Sequence, residues 1–201
     1  RVGRKSIATR RIDHLESMNE TRAPQGFFVA DSDRIEDRLR RLSHRVCGAF
    51  DEAPTLIGIR RRGVPLAKRL AGHLEETRGW TPVVGEITLK RYEDDLTLLH
   101  HQPRLAEDSL TAEVDGADVL LVDDVLYTGR TLLRAAEFLL EAGARHIQSL
   151  VLCARDQPEV PVAANFVGLR LDVGPGNVIE VELPPYEDRS AIVLMHREDI
   201  E

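Results

Sequence analysis

Apolar positions along the chain fall into two kinds of pattern, short unbroken runs and stripes at helical spacing, and the two alternate. The runs Leu56-Ile57-Gly58-Ile59 and Val119-Leu120-Leu121-Val122 are apolar on both sides of the alternation, as strands buried on both faces are. A third run, 147–152, and a fourth, 83–89, read the same way. Between them lie stripes. Ile35, Leu39, Leu42 and Val46 recur at i, i+4, i+7 and i+11, predicting a helix capped near Asp31 to Asp33. Pro65 opens a second helix with Leu66, Leu70 and Leu74 on one face, and Leu132, Leu133, Ala136, Leu139 and Leu140 mark a third that stops at Gly143. Strands separated by helices in this order predict an α/β fold, a parallel sheet flanked by helices, with ligands at the carboxyl ends of the strands.

Length and composition narrow the class. The 201 residues suit one domain, with 14 Gly, 10 Pro and no low-complexity tract. A formal net charge of −7 argues against a general nucleic-acid coat, while leaving room for a local basic face. Such a face is offered by the first helix, where Arg34, Arg38, Arg41 and Arg45 share a sector roughly 60° wide at ~100° per residue. A solvated face and a polyanion surface are both open readings of it, the first favoured on this window alone. Cys47 and Cys153, the only two cysteines, sit in apolar contexts and read as free thiols in a reducing compartment. With no run near the ~18 apolar residues of a membrane span, a cytoplasmic protein is expected. Residues 1–26 carry Arg1, Arg4, Lys5, Arg10 and Arg11 and no apolar period, and are expected to be a mobile extension, with 27–201 as the single domain.

Two strand ends carry the chemistry. After 119–122 come Asp123, Asp124, Val125, Leu126, Tyr127, Thr128, Gly129, Arg130 and Thr131: two acids, then a short loop of hydroxyls and one glycine opening a helix. The N–H groups at a helix start bind phosphate, and carboxylates beside such a cradle suit sugar hydroxyls or a metal. A phosphorylated ribose has both kinds of group. After 55–59 come Arg60, Arg61, Arg62 and Gly63, a loop whose guanidiniums and N–H groups suit a diphosphate.

The stretch 119–131 closely resembles the phosphoribosyl diphosphate signature of the type I phosphoribosyltransferases, in the form found in the PyrR family of pyrimidine-operon attenuation proteins with uracil phosphoribosyltransferase activity. The resemblance runs from about 35 to 193. It implies a parallel-sheet core at about 31–153, a small hood over the base at about 154–195, and a flexible lid in the long polar connection after the fourth run. It also implies the ligands: uracil, UMP, phosphoribosyl diphosphate and Mg²⁺, the metal held mainly by substrate. Asp123 and Asp124 would hold the ribose hydroxyls, 125–131 the 5′-phosphate, and Arg60 to Gly63 the diphosphate.

The resemblance also has departures. The family's Gly-Ile-Lys-Thr-Arg-Gly becomes Gly58-Ile59-Arg60-Arg61-Arg62-Gly63, so Arg61 replaces a small hydroxyl residue. The lid's Tyr-Arg-Asp-Asp-Leu becomes Tyr92-Glu93-Asp94-Asp95-Leu96, which replaces a catalytic arginine by an acid and leaves Arg91 as its substitute. His100 and His101 lie in the same connection, with no second cluster to complete a metal site. The hood matches most loosely, leaving Arg155, Phe166 and Val167 as base-holding candidates, with core packing an equal alternative for Phe166. Purine-salvage relatives place an aspartate where Tyr127 stands; a phenol is too weak an acid to act as a base there near neutral pH, so uracil is expected over a purine. Family regulators bind a messenger hairpin through the first helix, here Arg38, Arg40, Arg41, His44 and Arg45. Gln157, Pro158, Ala163 and Leu169 replace polar or basic hood residues, so RNA binding is expected to be weakened. A UMP-sensing attenuator and a purine-type transferase are the alternative functions, and a homodimer or homotetramer is the assembly the family implies.

Overall fold

The computed structural model describes residues 26–89, 109–156, 158–174, 176–196 and 198. Residues 1–25, the stretch expected as a lid with Arg91, Glu93, His100 and His101, and Gln157 lie outside the described residues.

Twelve elements follow in order: β1 (Phe27–Ala30), α1 (Ser32–Ala49), β2 (Thr55–Ile59), α2 (Gly63–Arg78), β3 (Val84–Thr88), β4 (Ser109–Leu110), β5 (Asp118–Leu126), α3 (Arg130–Glu141), β6 (His146–Arg155), β7 (Phe166–Leu171), β8 (Asn177–Glu182) and β9 (Ala191–His196). Six strands form the main sheet in the order β4-β3-β2-β5-β6-β7, parallel except for the short β4. Side chains alternate along each strand, so Leu56, Leu120, Val122, Leu150 and Leu152 pack with α1 and α2, while Ile57, Ile59, Val119, Leu121 and Val151 pack with α3. Each helix begins or ends where local chemistry dictates. Asp31 caps α1, its carboxylate accepting the Arg34 N–H at 2.9 Å. The third helix ends in a Schellman turn at Gly143 (φ 91°), with Gly143 N–H donating to Leu140 O and Ala144 N–H to Leu139 O.

Two sequence expectations are corrected here. The hood does not begin at 154: β6 runs to Arg155 and β7 completes the main sheet, so the smaller sheet is β1-β9-β8, antiparallel, and recruits a strand from ahead of α1. That strand is illegible in the sequence because Phe27 and Phe28 are exposed at the sheet edge and show no alternation. On α3, Leu132 and Leu139 are buried, whereas Leu133 and Leu140 point outward at 49% and 60% exposure. They share the helix's apolar count without sharing its buried face.

The two sheets are joined by a common core, in which Val173, Ile179, Val181, Leu183 and Ile192 of the hood side pack with α1 and α2. Burial of an apolar side chain contributes roughly 2 kcal/mol at each such position and gives the hood a fixed seat above the sheet. Among the described residues, no helix is long and apolar enough to cross a membrane.

Candidate active site

Strands β2 and β5 are hydrogen-bonded neighbours in parallel register, Ile57 opposite Leu121 and Gly58 opposite Val122, so the loops that follow them emerge side by side on the carboxyl edge. This juxtaposes 60–62 with 127–129. The approach is close enough that a Cβ on Gly63 would run into the Val122 carbonyl, which fixes that position as glycine.

The loop after β5 is shaped by Gly129. Its φ of 85° turns the chain from strand into helix, and a Cβ there would lie 2.5 Å from Val162 Cγ1 and 2.9 Å from Val160 Cγ2. The segment 158–162 leans on this loop, with Glu159 and Val160 N–H groups donating to Thr128 O at 2.9 and 3.2 Å. Beneath lies a small open pocket lined by Asp123, Val125, Leu126, Tyr127, Thr128, Gly129, Thr131, Leu132 and Val151. Gly129, the N-cap of α3, contributes no side-chain cap, and Thr128 Oγ1 accepts the Arg130 N–H only at a long 3.4 Å. The first turn of the helix therefore faces the pocket with its positive dipole end. Arg130 and Thr131 belong to the helix itself, and Arg130 lies 3.5 Å from Glu159.

Both acids are half-buried near the carboxyl end of β5, ahead of its last residue, Leu126. Asp123 lines the pocket, and its Oδ1 accepts the Asp124 N–H at 2.9 Å. The charge of Asp124 supports the cationic form of Arg62 and adds to the burial that pushes the Cys153 thiol up to about 12. Among the described residues, no three His, Cys, Asp or Glu side chains gather as a metal cage. Two adjacent carboxylates do fit Mg²⁺, a cation that takes one or two protein carboxylates and completes its shell with water and substrate phosphates.

The arginines after β2 are not equivalent. Arg60 is half-exposed at 52% and reaches Glu86 Oε1 at 3.3 Å. Arg61 places its guanidinium 5.2 Å from the Tyr186 ring centroid. Arg62, expected at the diphosphate, is instead engaged by the hood: Nη2 donates to Glu180 Oε1 at 2.6 Å and Glu187 Oε1 at 2.7 Å, and Nε donates to Glu187 at 3.2 Å. Two carboxylates above it draw the fork away from the loop's open side. Desolvation disfavours its charge, but Glu187, Glu180 and Asp124 outweigh that and raise its pKa. Glu187, in turn, has its carboxyl pKa lowered: burial opposes this, and the Arg62 and Leu183 N–H donors prevail.

The base candidates divide. Arg155, at the end of β6, stands over the Tyr127 ring at 5.0 Å, on the carboxyl edge beside the pocket. Phe166 and Val167 do not line the pocket. Phe166 is buried in the α1–α2 core with the Arg45 guanidinium 5.5 Å over its ring, and Val167 packs toward α3 while its carbonyl accepts from Arg45. Opening β7 places them at the start of a strand, below the edge where ligands collect. Arg45 is held further by Asn165 O at 3.3 Å, so it ties α1 to β7. Arg38, Arg40, Arg41 and His44 are exposed, Arg41 paired with Asp37 one turn back.

Glu180, Tyr186 and Glu187 join this site without any signal in the sequence. Each is a lone side chain whose relevance comes from the partner strand or hood segment that delivers it, and local spacing does not reveal that.

These features meet independent likenesses. The phosphoribosyl transferase domain family matches residues 29–188. The bifunctional protein PyrR of Pelotomaculum thermopropionicum is 36% identical over 170 residues, covering 83% of this chain and 94% of its own. That of Thermus thermophilus is 35% identical over 163 residues, covering 80% and 90%. In solved structures, the hypoxanthine phosphoribosyltransferase of Trypanosoma cruzi superposes with a TM-score of 0.67 at 15% identity, covering 85% of this chain and 96% of that one. A hypoxanthine-guanine phosphoribosyltransferase from Bacillus anthracis gives 0.66 at 14%, covering 87% and 99%. At such identity these two speak for the fold alone. The parallel sheet, the acid pair and glycine loop at its carboxyl edge, and the match along most of the chain make this protein a member of the type I phosphoribosyltransferases, alongside the PyrR proteins.

Proposed function

We propose that the protein transfers the phosphoribosyl group of phosphoribosyl diphosphate to uracil, yielding UMP and diphosphate. The observation that carries the reading is the pocket shared by Asp123 with Thr128, Gly129 and Thr131, which pairs an anion cradle with a carboxylate. In the reaction the bond from the anomeric carbon to diphosphate breaks as the bond to uracil N1 forms and the N1 proton is released to solvent, with positive charge on the ribose ring and negative charge on the leaving group. Thr128, Gly129, Arg130 and Thr131 hold the 5′-phosphate, and Asp123 and Asp124 orient the ribose hydroxyls. Arg60 and the backbone of the loop after β2 face the diphosphate. Asp123 and Asp124 would meet a magnesium ion brought in with the substrate, which would lower the leaving group's charge. The connection 90–108 serves as the lid, and Arg91 supplies the cation that Glu93 does not.

Uracil is favoured by Tyr127, which offers no carboxylate to a purine ring, and by the Arg155 donors poised above it for the carbonyl oxygens of a flat pyrimidine. The name of the PyrR relatives, bifunctional, supports a second reading in which the same pocket senses UMP and the protein acts on a pyrimidine leader RNA. Exposed Arg38, Arg40, Arg41 and His44 on α1 are its observation. The deciding assay is UMP formation from uracil, phosphoribosyl diphosphate and Mg²⁺, with hypoxanthine, guanine and orotate in parallel. Turnover with uracil alone is expected; turnover with a purine and none with uracil overturns the assignment.

A further inference from the structure

The loop after β2 and the hood are fastened together at two points that the activity alone does not require. Arg62 is the first. Its fork reaches Glu180 on β8 and Glu187 in the turn after β8, and Glu187 uses its other oxygen to accept the Leu183 N–H at 2.7 Å. All three side chains are about one-fifth to one-third exposed, so the contact is sheltered from water. Arg61 is the second, stacked on Tyr186 at 5.2 Å, one residue before Glu187. Consecutive arginines of one loop thus grip consecutive residues of another, which lie more than a hundred positions away.

We propose that Arg62 is a positioning residue, which with the Arg61–Tyr186 stack fastens the diphosphate loop to the hood, so that the two sides of the substrate site are set as one unit. This rests on the phosphoribosyltransferase reading above. A fork satisfied by two carboxylates has little left for a third anion, and neighbouring acids repel a diphosphate from that point. Arg60, 52% exposed against 21% for Arg62 and reaching Glu86 at 3.3 Å, is the more accessible of the two cations. Holding the loop from behind fixes the direction of its N–H groups without adding charge at the reacting atoms.

The roles of ligand and strut differ in sign at Glu187. If Arg62 bound diphosphate, Glu187→Gln would remove a competing anion and lower KM for phosphoribosyl diphosphate. If Arg62 is the strut, Glu187→Gln loosens the loop and raises KM, by about five- to tenfold with kcat within about twofold, because ground state and transition state lose the same positioning. A direct ligand to the leaving group would show in kcat, where the charge develops. Arg62→Lys is expected to restore only part of what Arg62→Gln loses, since an ammonium cannot span both glutamates. The double variant Arg62→Gln with Glu187→Gln should be no worse than Arg62→Gln alone.

Amide hydrogen exchange reads the fastening without turnover. Val64 and Leu66 donate to Arg61 O and Arg62 O across long bonds of 3.3 and 3.4 Å. In Glu187→Gln and in Tyr186→Leu these amides should exchange about tenfold faster, with β5 unchanged. Faster exchange in a protein that turns over no base would uphold the strut and sink the transferase reading. Unchanged exchange with unchanged or lowered KM overturns the strut, as does a kcat loss confined to Arg62 variants.

Discussion

The guanidinium of Arg155 lies 5.0 Å from the ring centroid of Tyr127, so the residue that ends β6 is braced on the residue that leaves β5. A cation held over a ring keeps its outer N–H edge aimed in one direction, and a cation–π contact at such a half-exposed site contributes about 0.5–1 kcal/mol. If that edge reads the uracil carbonyls, Arg155→Met should raise the uracil KM by about tenfold, the weight of one charge-assisted hydrogen bond. Tyr127→Leu, which removes the brace, should raise it by about two- to fivefold. Steady-state kinetics with uracil varied at saturating phosphoribosyl diphosphate tests both. A Tyr127→Leu effect as large as that of Arg155→Met would mean that Tyr127 touches the base itself.

A second expectation concerns the acid pair and the glycine beside it. Asp123→Asn with Asp124→Asn should abolish turnover of phosphoribosyl diphosphate while preserving the circular-dichroism spectrum, because both side chains are only half-buried and neither belongs to the apolar core. Gly129→Ala should fail differently. Its positive φ, and the valines 2.5 and 2.9 Å from where the new methyl would sit, leave no room without moving 160–162, so a loss of about 1–2 kcal/mol of stability should accompany the lost binding. Calorimetric titration with phosphoribosyl diphosphate and a thermal melt separate the two outcomes. Retained binding in Gly129→Ala would remove this turn from the site.

How far the sequence speaks can be judged at these same residues. Val119 to Val122 and Ile35, Leu39, Leu42 and Val46 are all essentially inaccessible to solvent, because burial is periodic and period is legible. The phosphate turn is legible for a related reason: strand, acids, loop and helix are contiguous, so one window holds the whole device. The hood contacts of Arg62 are not legible in the sequence because its partners, Glu180 and Glu187, arrive from the far end of the chain. Phe166 stands even between base and core for want of a neighbour; α1 supplies it, through Arg45. Strand β1 escapes notice because an exposed edge strand of four residues, Phe27–Ala30, has neither period nor length.

At the amino edge of the sheet, Asp118 accepts Arg145 Nε and Nη2 at 2.9 and 2.8 Å and pairs with His146 Nδ1 at 2.9 Å. Those hydrogen bonds, Arg145 first, hold the Asp118 carboxyl down at about 2 against its ordinary 3.8. A carboxyl with a depressed folded-state pKa contributes stability that is complete above pH ~4 and is lost as pH falls toward ~2. The pairing is at the surface, so the contribution should stay below about 1 kcal/mol. Asp118→Asn should therefore flatten the acid limb of a stability-against-pH curve between about pH 4 and 2, and leave transferase activity intact on the opposite edge. An acid limb identical to the parent's would show that the Arg145 pairing adds nothing to stability.

Two cysteines offer a probe of the sheet. Cys153 is fully buried at the level of Val125, its thiol pushed up to about 12 by burial and by Asp124, whereas Cys47 on α1 is half-buried and raised less. Thiolate is the reactive form. Alkylation at pH 8 followed by mass spectrometry should label Cys47 slowly and Cys153 only after unfolding. Labelling of native Cys153 faster than Cys47 would mean that β5 and β6 open locally beside the site.

The basic helix supplies the last test, and the structure redistributes its arginines. Arg45 is committed to Asn165 O, Val167 O and the Phe166 ring, so Arg45→Ala should lower the melting temperature, whatever it does to RNA. Arg41 shares an exposed ion pair with Asp37, which water and salt leave worth little, so it can still turn to a phosphate. Arg38 and Arg40 are the better reporters, exposed and placed to either side of the buried stripe. Binding of a pyrimidine-leader hairpin should be weak at physiological salt, because a protein of net charge −7 offers few phosphate contacts outside this helix. Each of Arg38→Ala and Arg40→Ala should reduce the slope of log affinity against log salt by about 0.7 to 0.9, the counterion released per phosphate contact. Filter binding across a salt series, with a scrambled hairpin as the reference, measures it. Tight, hairpin-selective binding whose salt slope survives both substitutions would place the RNA on another face and make regulation, rather than UMP synthesis, the leading activity to test.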